Sequence, residues 1–286
     1  MTYVLFDIGG TKTRVGLSDD LKTISANTSF PTKQSFAEGV EAIHKAVLKL
    51  APKSKVKAVA GGIRGLLNET KTGLENDGVL TLWAGKPLAE KLSAKFSAPV
   101  YLENDTAMAG LGEAVFGAGQ GMDIVVYHTI STGVGGVKIE HGVIDEASSG
   151  FEPGHQVLDI DRTILGDDIS PTLENLVSGA GLEARLGMPA YEIPQEDMIW
   201  NELAEYLAQG LRNTILYWSP EVIVLGGSMI NGDPKIKIDD IRKYTVEVLD
   251  SFVACPFITV STLKDEAGLY GAMAYLSQKK VNYIKR

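Results

Sequence analysis

What most constrains this chain is a hairpin that it writes twice. Residues 3–18, "YVLFDIGGTKTRVGLS", carry an apolar run, a polar turn with two adjacent glycines, and a second, alternating run; residues 122–144, "MDIVVYHTISTGVGGVKIEHGVI", repeat that order. Each copy reads as two antiparallel strands about a Gly-rich turn, the first turn spanning Ile8–Lys12. Helical and strand-like segments follow each copy, so the predicted class is α/β with two lobes, and 286 residues suffice for a core in each.

In the first half the predicted strands are Tyr3–Asp7, Thr13–Ser18, Thr23–Ser29 and Val56–Ala60. Helices are predicted over Phe36–Leu50 and Pro87–Phe96, then a short strand "PVYLE" and an alanine-rich helix from Thr106 to about Val115. Gly117–Gly121 reads as a hinge. The second half continues through an irregular polar segment near 145–170, helices over Ser170–Leu176 and Trp200–Trp218, the strand "EVIVLGG", a helix over Ile236–Phe252 and a closing helix from Ala267. The division is set at 1–117 and 118–266, with the last helix, about 267–286, packing back on the first lobe. Duplicated hairpin openings of this kind suit a nucleotide held in a cleft between the lobes.

Composition narrows the chemistry. No apolar run reaches membrane-spanning length, and the first strand starts too early for a signal segment, which predicts a cytoplasmic protein with no membrane partner. Lys and Arg total 27 against 36 Asp and Glu, a net charge of −9, which opposes binding to nucleic acid. The single cysteine, Cys255, excludes an internal disulfide and a multi-thiolate metal site, and its setting "VACPFITV" reads as core.

In "DIGGTK" at 7–12, Gly9 and Gly10 let backbone N–H groups converge on an anion, both by removing Cβ atoms and by permitting positive φ. Asp7 beside a polyphosphate makes sense if a divalent cation sits between them, directly or through its waters. An ordinary tight hairpin turn explains the same residues. Three further clusters need a common explanation with it: "ENDTA" at 103–107, "STGVGG" at 131–136 and "VLGGS" at 224–228. Asp105 precedes a helix and reads alone as an N-cap.

Together with "FEPGHQ" at 151–156, these motifs resemble the ROK family of sugar kinases and repressors, over essentially the whole chain. The resemblance implies the two-lobed actin-like ATPase (ribonuclease H-like) fold, with nucleotide and sugar in the interlobe cleft. It implies that Asp7, Gly9, Gly10, Thr11 and Lys12 clasp the polyphosphate of ATP opposite Thr132 and Gly133, with Asp7 toward Mg2+. Gly226 and Gly227 would pack against the adenosine, with Gly179 on the other wall. Asp105 would be the base that accepts the proton of the sugar hydroxyl, Glu103 a support for its loop, and Asn104, Glu152, His155 and Glu174 the sugar-binding groups; the backbone at Gly62 of "AVAGGIRG", where the family has a turn lining the sugar, would touch the sugar, though a plain flexible turn explains it as well. The activity implied is phosphorylation of the primary hydroxyl of a hexose or N-acetylhexosamine, in a protein that can pair as a homodimer. A regulator of the same family, or a catalytically silent sugar sensor, is the alternative; the chain has no residues before its first strand to build a DNA reader, and it keeps Asp7, Asp105, Glu152 and His155 together.

The sequence also departs from the family. Val137 stands where a further glycine is usual, Phe151 replaces the glycine before Glu152, and Gly61–Gly62 takes the place of a Pro-Gly turn. Many members hold a structural zinc through cysteines that "QVLDIDRTILGDDISPT" lacks, so no zinc is expected, and Asp159, Asp161, Asp167 and Asp168 read as solvated.

Overall fold

The computed structural model describes residues 1–284 apart from 146, 148 and 149, with the side chains of 280–284 left aside. Residues 285 and 286 of the expected closing helix, and those three of the irregular segment, lie outside the described residues. The chain divides into two compact units, the first with Met1–Phe116 and the residues from Asp265 on, the second with Gly117–Asp145 and Phe151–Lys264.

The first unit begins β1 (Thr2–Ile8), β2 (Lys12–Ser18) and β3 (Ala26–Pro31), then α1 (Phe36–Leu50), β4 (Val56–Ile63), β5 (Leu66–Leu67), β6 (Leu74–Asn76), α2 (Leu88–Phe96), β7 (Val100–Asn104) and α3 (Asp105–Phe116). Its main sheet has the order β3-β2-β1-β4-β7, antiparallel through the opening hairpin and parallel from β1 to β7. β3 starts later than predicted because Asp20 caps a turn, accepting from the N–H of Lys22 and Thr23, while Leu21 takes φ 62°. β4 runs three residues further than expected, so Gly61 and Gly62 lie inside a strand and the chain turns only at Gly65, φ +92°. The β5–β6 hairpin was not foreseen; two- and three-residue strands carry too little alternation to stand out.

The second unit repeats the plan with β8 (Ile124–Ile130), β9 (Val134–Glu140) and β10 (Val143–Ile144), then α4 (Leu173–Val177), α5 (Gly179–Leu186), α6 (Ile199–Trp218), β11 (Val222–Gly226), α7 (Ser228–Asn231), α8 (Ile238–Leu249) and β12 (Phe257–Val260). Its sheet order, β10-β9-β8-β11-β12, mirrors the first. Val137 is buried in β9 opposite Tyr127, within the ladder rather than in the turn. The helix α5, absent from the sequence reading, starts where the Ser178 hydroxyl accepts from the Gly181 N–H. Cys255 is half-buried against the core of this unit just before β12.

The last helix, α9 (Ala267–Ile284), packs on α3 within the first unit. Their approach is close enough that a Cβ on Gly112 would run into the Ala267 carbonyl, and one on Gly271 into the carbonyl of Met108. Tyr3, Leu5, Met108, Leu269, Met273 and Leu276 form the core there, on the sheet face opposite α1. No helix among the described residues is long and apolar enough to cross a membrane.

Candidate active site

In a parallel sheet the carboxyl ends of the strands face the crevice where ligands sit. In the first unit, the register sets Asp7 of β1 beside Gly62 of β4, and Gly62 beside Glu103 of β7, so the candidate residues share that edge. The turn itself is short, Gly9–Thr11 between β1 and β2, with the Gly9 N–H donating to the Lys12 carbonyl at 3.1 Å. Thr32 braces it from β3's end: its hydroxyl donates to the Gly9 carbonyl at 2.8 Å and its N–H to the Thr11 carbonyl at 2.9 Å. Neither glycine takes a left-handed φ. A Cβ on Gly10 would stand 2.7 Å from Nη1 of Arg64, so this glycine lets the Arg64 side chain lie against the turn.

Asp7 sits against the start of α9, where a Cβ on Gly268 would meet its Cγ at 2.8 Å. Arg14, across the hairpin, donates to Asp7 at 3.3 Å and reaches Asp265 at 2.8 Å. Burial pushes the Asp7 carboxyl up to about 7, the charge of Asp105 adds to this, and Arg14 opposes it. Lys12 is exposed, 4.0 Å from Asp265.

Asp105 is the first residue of α3, and its Oδ1 accepts from the N–H of Thr106 at 2.8 Å. The capping task expected of it falls to Asn104, whose Oδ1 accepts from the Ala107 N–H at 3.1 Å while Nδ2 donates to the Gly65 carbonyl. Burial raises the Asp105 carboxyl to about 6, with the Thr106 N–H and the Arg64 charge pulling the other way. Gly62 is not a turn: it is the gap into which Asp105 fits, a Cβ there standing 2.8 Å from the Asp105 Cα. Glu103 is buried, accepts from the Asn104 N–H at 3.0 Å and pairs with Lys71. It supports the loop in this way.

In the second unit the Ser131–Gly133 turn joins β8 and β9. Gly179 and Ala180 donate their N–H groups to the Ser131 and Thr132 carbonyls, and the Ser131 hydroxyl lies 3.0 Å from that of Ser228. This brings Thr132, Gly133, the α5 start at Gly179 and the β11 end at Gly226–Gly227 together. Gly227, at φ +89°, abuts the Ile130 carbonyl, and Gly226 abuts the Tyr127 hydroxyl. Glu174, in the first turn of α4, accepts from the Val134 N–H at 2.8 Å and fills the space beside Gly133, so it braces that turn. Glu152 and His155 flank a single 3-10 turn, the His155 N–H donating to the Glu152 carbonyl. The Glu152 carboxyl is raised by burial, with His155 lowering it and Glu174 raising it, so the three form one group.

The segment after His155 is held by its own hydrogen bonds. Asp159 is buried, not solvated: its carboxylate accepts from the N–H groups of Thr163, Ile164 and Leu165. Arg162 donates to the Ile169 carbonyl at 2.7 Å, and Val157 bridges to Thr172. Asp161, Asp167 and Asp168 are exposed, and no group of three or more His, Cys, Asp or Glu among the described residues is placed to hold a metal ion.

Sequence reasoning missed Arg14, Arg64 and Asp77. A strict reading of the hairpin pairing, with Asp7 opposite Arg14, could have found the first. Asp77 and Arg64 lie 13 positions apart in a loop-rich stretch with no periodicity to link them.

Two matched β-hairpin sheets with glycine turns at the strand ends define an actin-like ATPase fold. A sequence model of the ROK family matches residues 3–279, and the chain belongs to that family. It is 28% identical over 290 residues to a fructokinase of Lactococcus lactis subsp. cremoris, covering 96% of both chains. It is 26% identical over 306 residues to a glucokinase of Thermotoga maritima, again over 96% of each. Among solved structures, a ROK family glucokinase from Streptomyces griseus in complex with glucose and AMPPNP has TM-score 0.78 at 25% identity, covering 98% of this chain and 100% of that one. A ROK hexokinase from Thermus thermophilus has TM-score 0.80 at 26% identity with the same coverage.

Proposed function

We propose that this protein is an ATP-dependent sugar kinase that phosphorylates the primary hydroxyl of a hexose or N-acetylhexosamine. The observation that carries this reading is Asp105, a desolvated carboxyl at the strand edge that also bears Asp7 and the Gly9–Gly10 turn. Phosphoryl transfer asks the protein for position and charge, since the transition state is loose and the hydroxyl's proton moves late. Asp105 takes that proton, and Gly62 and the Asn104 cap fix where its carboxyl stands. Glu152 and His155 offer acceptors and a donor for vicinal hydroxyls, with Asn104 and Glu174 holding spare hydrogen-bonding capacity.

The turn at Gly9–Lys12 and the one at Thr132–Gly133 take the phosphates, while Gly179, Gly226 and Gly227 leave room for the nucleoside. Asp7 fits a hydrated Mg2+: it is a buried carboxyl with the Asp105 carboxylate in range, and the Arg14 contact at 3.3 Å offsets the resulting penalty only in part. The ion would neutralise phosphate charge there. The sugar-responsive regulator is the weaker reading, because the ROK regulator among the structural neighbours is only 20% identical and shows the fold alone. The test is a coupled ADP-release screen across hexoses and N-acetylhexosamines with Mg2+, run beside Asp105→Asn. One sugar should support turnover, and the variant should lose about 10²–10⁴ in kcat with a smaller change in sugar KM. Full activity in the variant would remove Asp105 from its role.

A further inference from the structure

Arg64 follows directly on the last residue of β4, and its N–H donates to the Ile8 carbonyl at 3.0 Å, so the side chain leaves the backbone beside the end of β1. From there the side chain lies over the glycine turn. A Cβ on Gly10 would meet Nη1 at 2.7 Å and Cδ at 3.3 Å. Its other edge is fixed: Nε donates to Asp77 Oδ1 at 3.1 Å, and Asp77 is itself held by the N–H groups of Val79 and Leu80 at 3.1 and 2.7 Å. Among the described residues Asp77 is the one hydrogen-bond partner of the guanidinium, through Nε alone. The group is a third exposed, at 32% of its side-chain surface, and its charge also reaches the Asp105 carboxyl.

Neutralising Asp77 accounts for Nε but not for the rest. Two backbone donors already satisfy one Asp77 oxygen, and a Lys or Gln would serve the other. What remains is a planar cation with free Nη donors laid on the phosphate turn and within Coulombic range of the base. A phosphoryl group in flight spreads its charge over three equatorial oxygens, which suits the fork of an Arg better than a point charge. We infer that Arg64 contacts the terminal phosphoryl group of the nucleotide and follows it to the acceptor, an inference that rests on the kinase reading above. Arg64 then supplies from within the first unit the positive charge that exposed Lys12, paired with Asp265, is poorly placed to concentrate.

The experiment compares ADP with AMPPNP, which differ by the terminal phosphoryl group, by titration calorimetry with MgCl2 on wild type, Arg64→Gln and Arg64→Lys. Gln keeps an N–H for Asp77 and removes the charge. The expected result for Arg64→Gln is ADP affinity within about threefold of wild type and AMPPNP affinity lower by about 10- to 100-fold, the range of one charge-assisted contact. Turnover should fall by about 10³-fold. Arg64→Lys should recover part of both. Equal losses for the two nucleotides, or an unchanged AMPPNP-to-ADP ratio, would overturn the assignment and leave Arg64 as a brace for Asp77. If circular dichroism shows that Arg64→Gln does not fold, the Lys variant decides alone: the ratio must drop, and an unchanged one overturns the inference. A wild type that binds neither nucleotide would refute the kinase reading, and this inference with it.

Discussion

Gly62→Ala tests whether the base is positioned by empty space. The added Cβ would stand 2.8 Å from the Asp105 Cα and 3.4 Å from its Cβ and N. Carbon atoms prefer about 3.5–4.0 Å, so the two backbones must part by about 1 Å. Neither can yield cheaply. Gly62 is paired on both sides, to Asp7 and to Glu103, and α3 is pinned where Gly112 and Gly271 lock it to α9. Overpacking of this kind costs about 1–3 kcal/mol, read as a Tm lower by several degrees. A displacement of about 1 Å in a catalytic group costs about 10²-fold in rate, so kcat should fall by about that factor while ADP affinity stays within about threefold. In an Asp105→Asn background the same substitution should add almost nothing to the kinetic loss, because the base it displaces is already gone. Gly78→Ala, where nothing lies within 4 Å, is the control and should be silent. A Gly62→Ala enzyme with wild-type kcat would refute the argument, as would additive losses in the double variant.

With the Asp105 carboxyl raised to about 6, kcat/KM should rise with pH through that value, because only the carboxylate can accept a proton; a flat profile from pH 5 to 7 would contradict this. His128 is buried beside Thr214 and stacked on Trp218, and burial lowers it to about 4 from 6.5. The native state therefore binds fewer protons than the unfolded chain between those values. Stability that is complete above pH 6.5 should be lost toward pH 4, by about 3 kcal/mol, and His128→Gln should flatten that slope in denaturant titrations. Asp159→Ala should lower Tm and raise the sugar KM by unmooring the segment between His155 and Glu174, with Asp159→Asn less damaging because it keeps one acceptor oxygen. Metal analysis of the purified protein should return no stoichiometric zinc; one tightly held zinc per chain would contradict the account of that segment.

What the sequence alone determined is what repeats or runs in short register. The doubled hairpin, α1 with its 15-residue span, and the glycine clusters at the strand ends were all legible, because alternation, helical periodicity and Gly-rich turns are local signals. Residue types around the first glycine turn marked Asp7, and the resemblance to the ROK family marked Asp105, Glu152 and His155. Only the tertiary structure decided what each of them does for its neighbours. Asn104 rather than Asp105 caps α3, Gly62 is a socket rather than a turn, Glu174 ties down the Gly133 turn, and Asp159 is a buried anchor rather than a solvated charge. Arg64 and Asp77 meet only because β4 ends three residues later than its pattern implied, and Arg64 lies over Gly10 only because β1 and β4 are parallel neighbours. Burial, cross-strand register and the room left by a missing Cβ are properties of packed neighbours distant in the chain, and no window of sequence contains them.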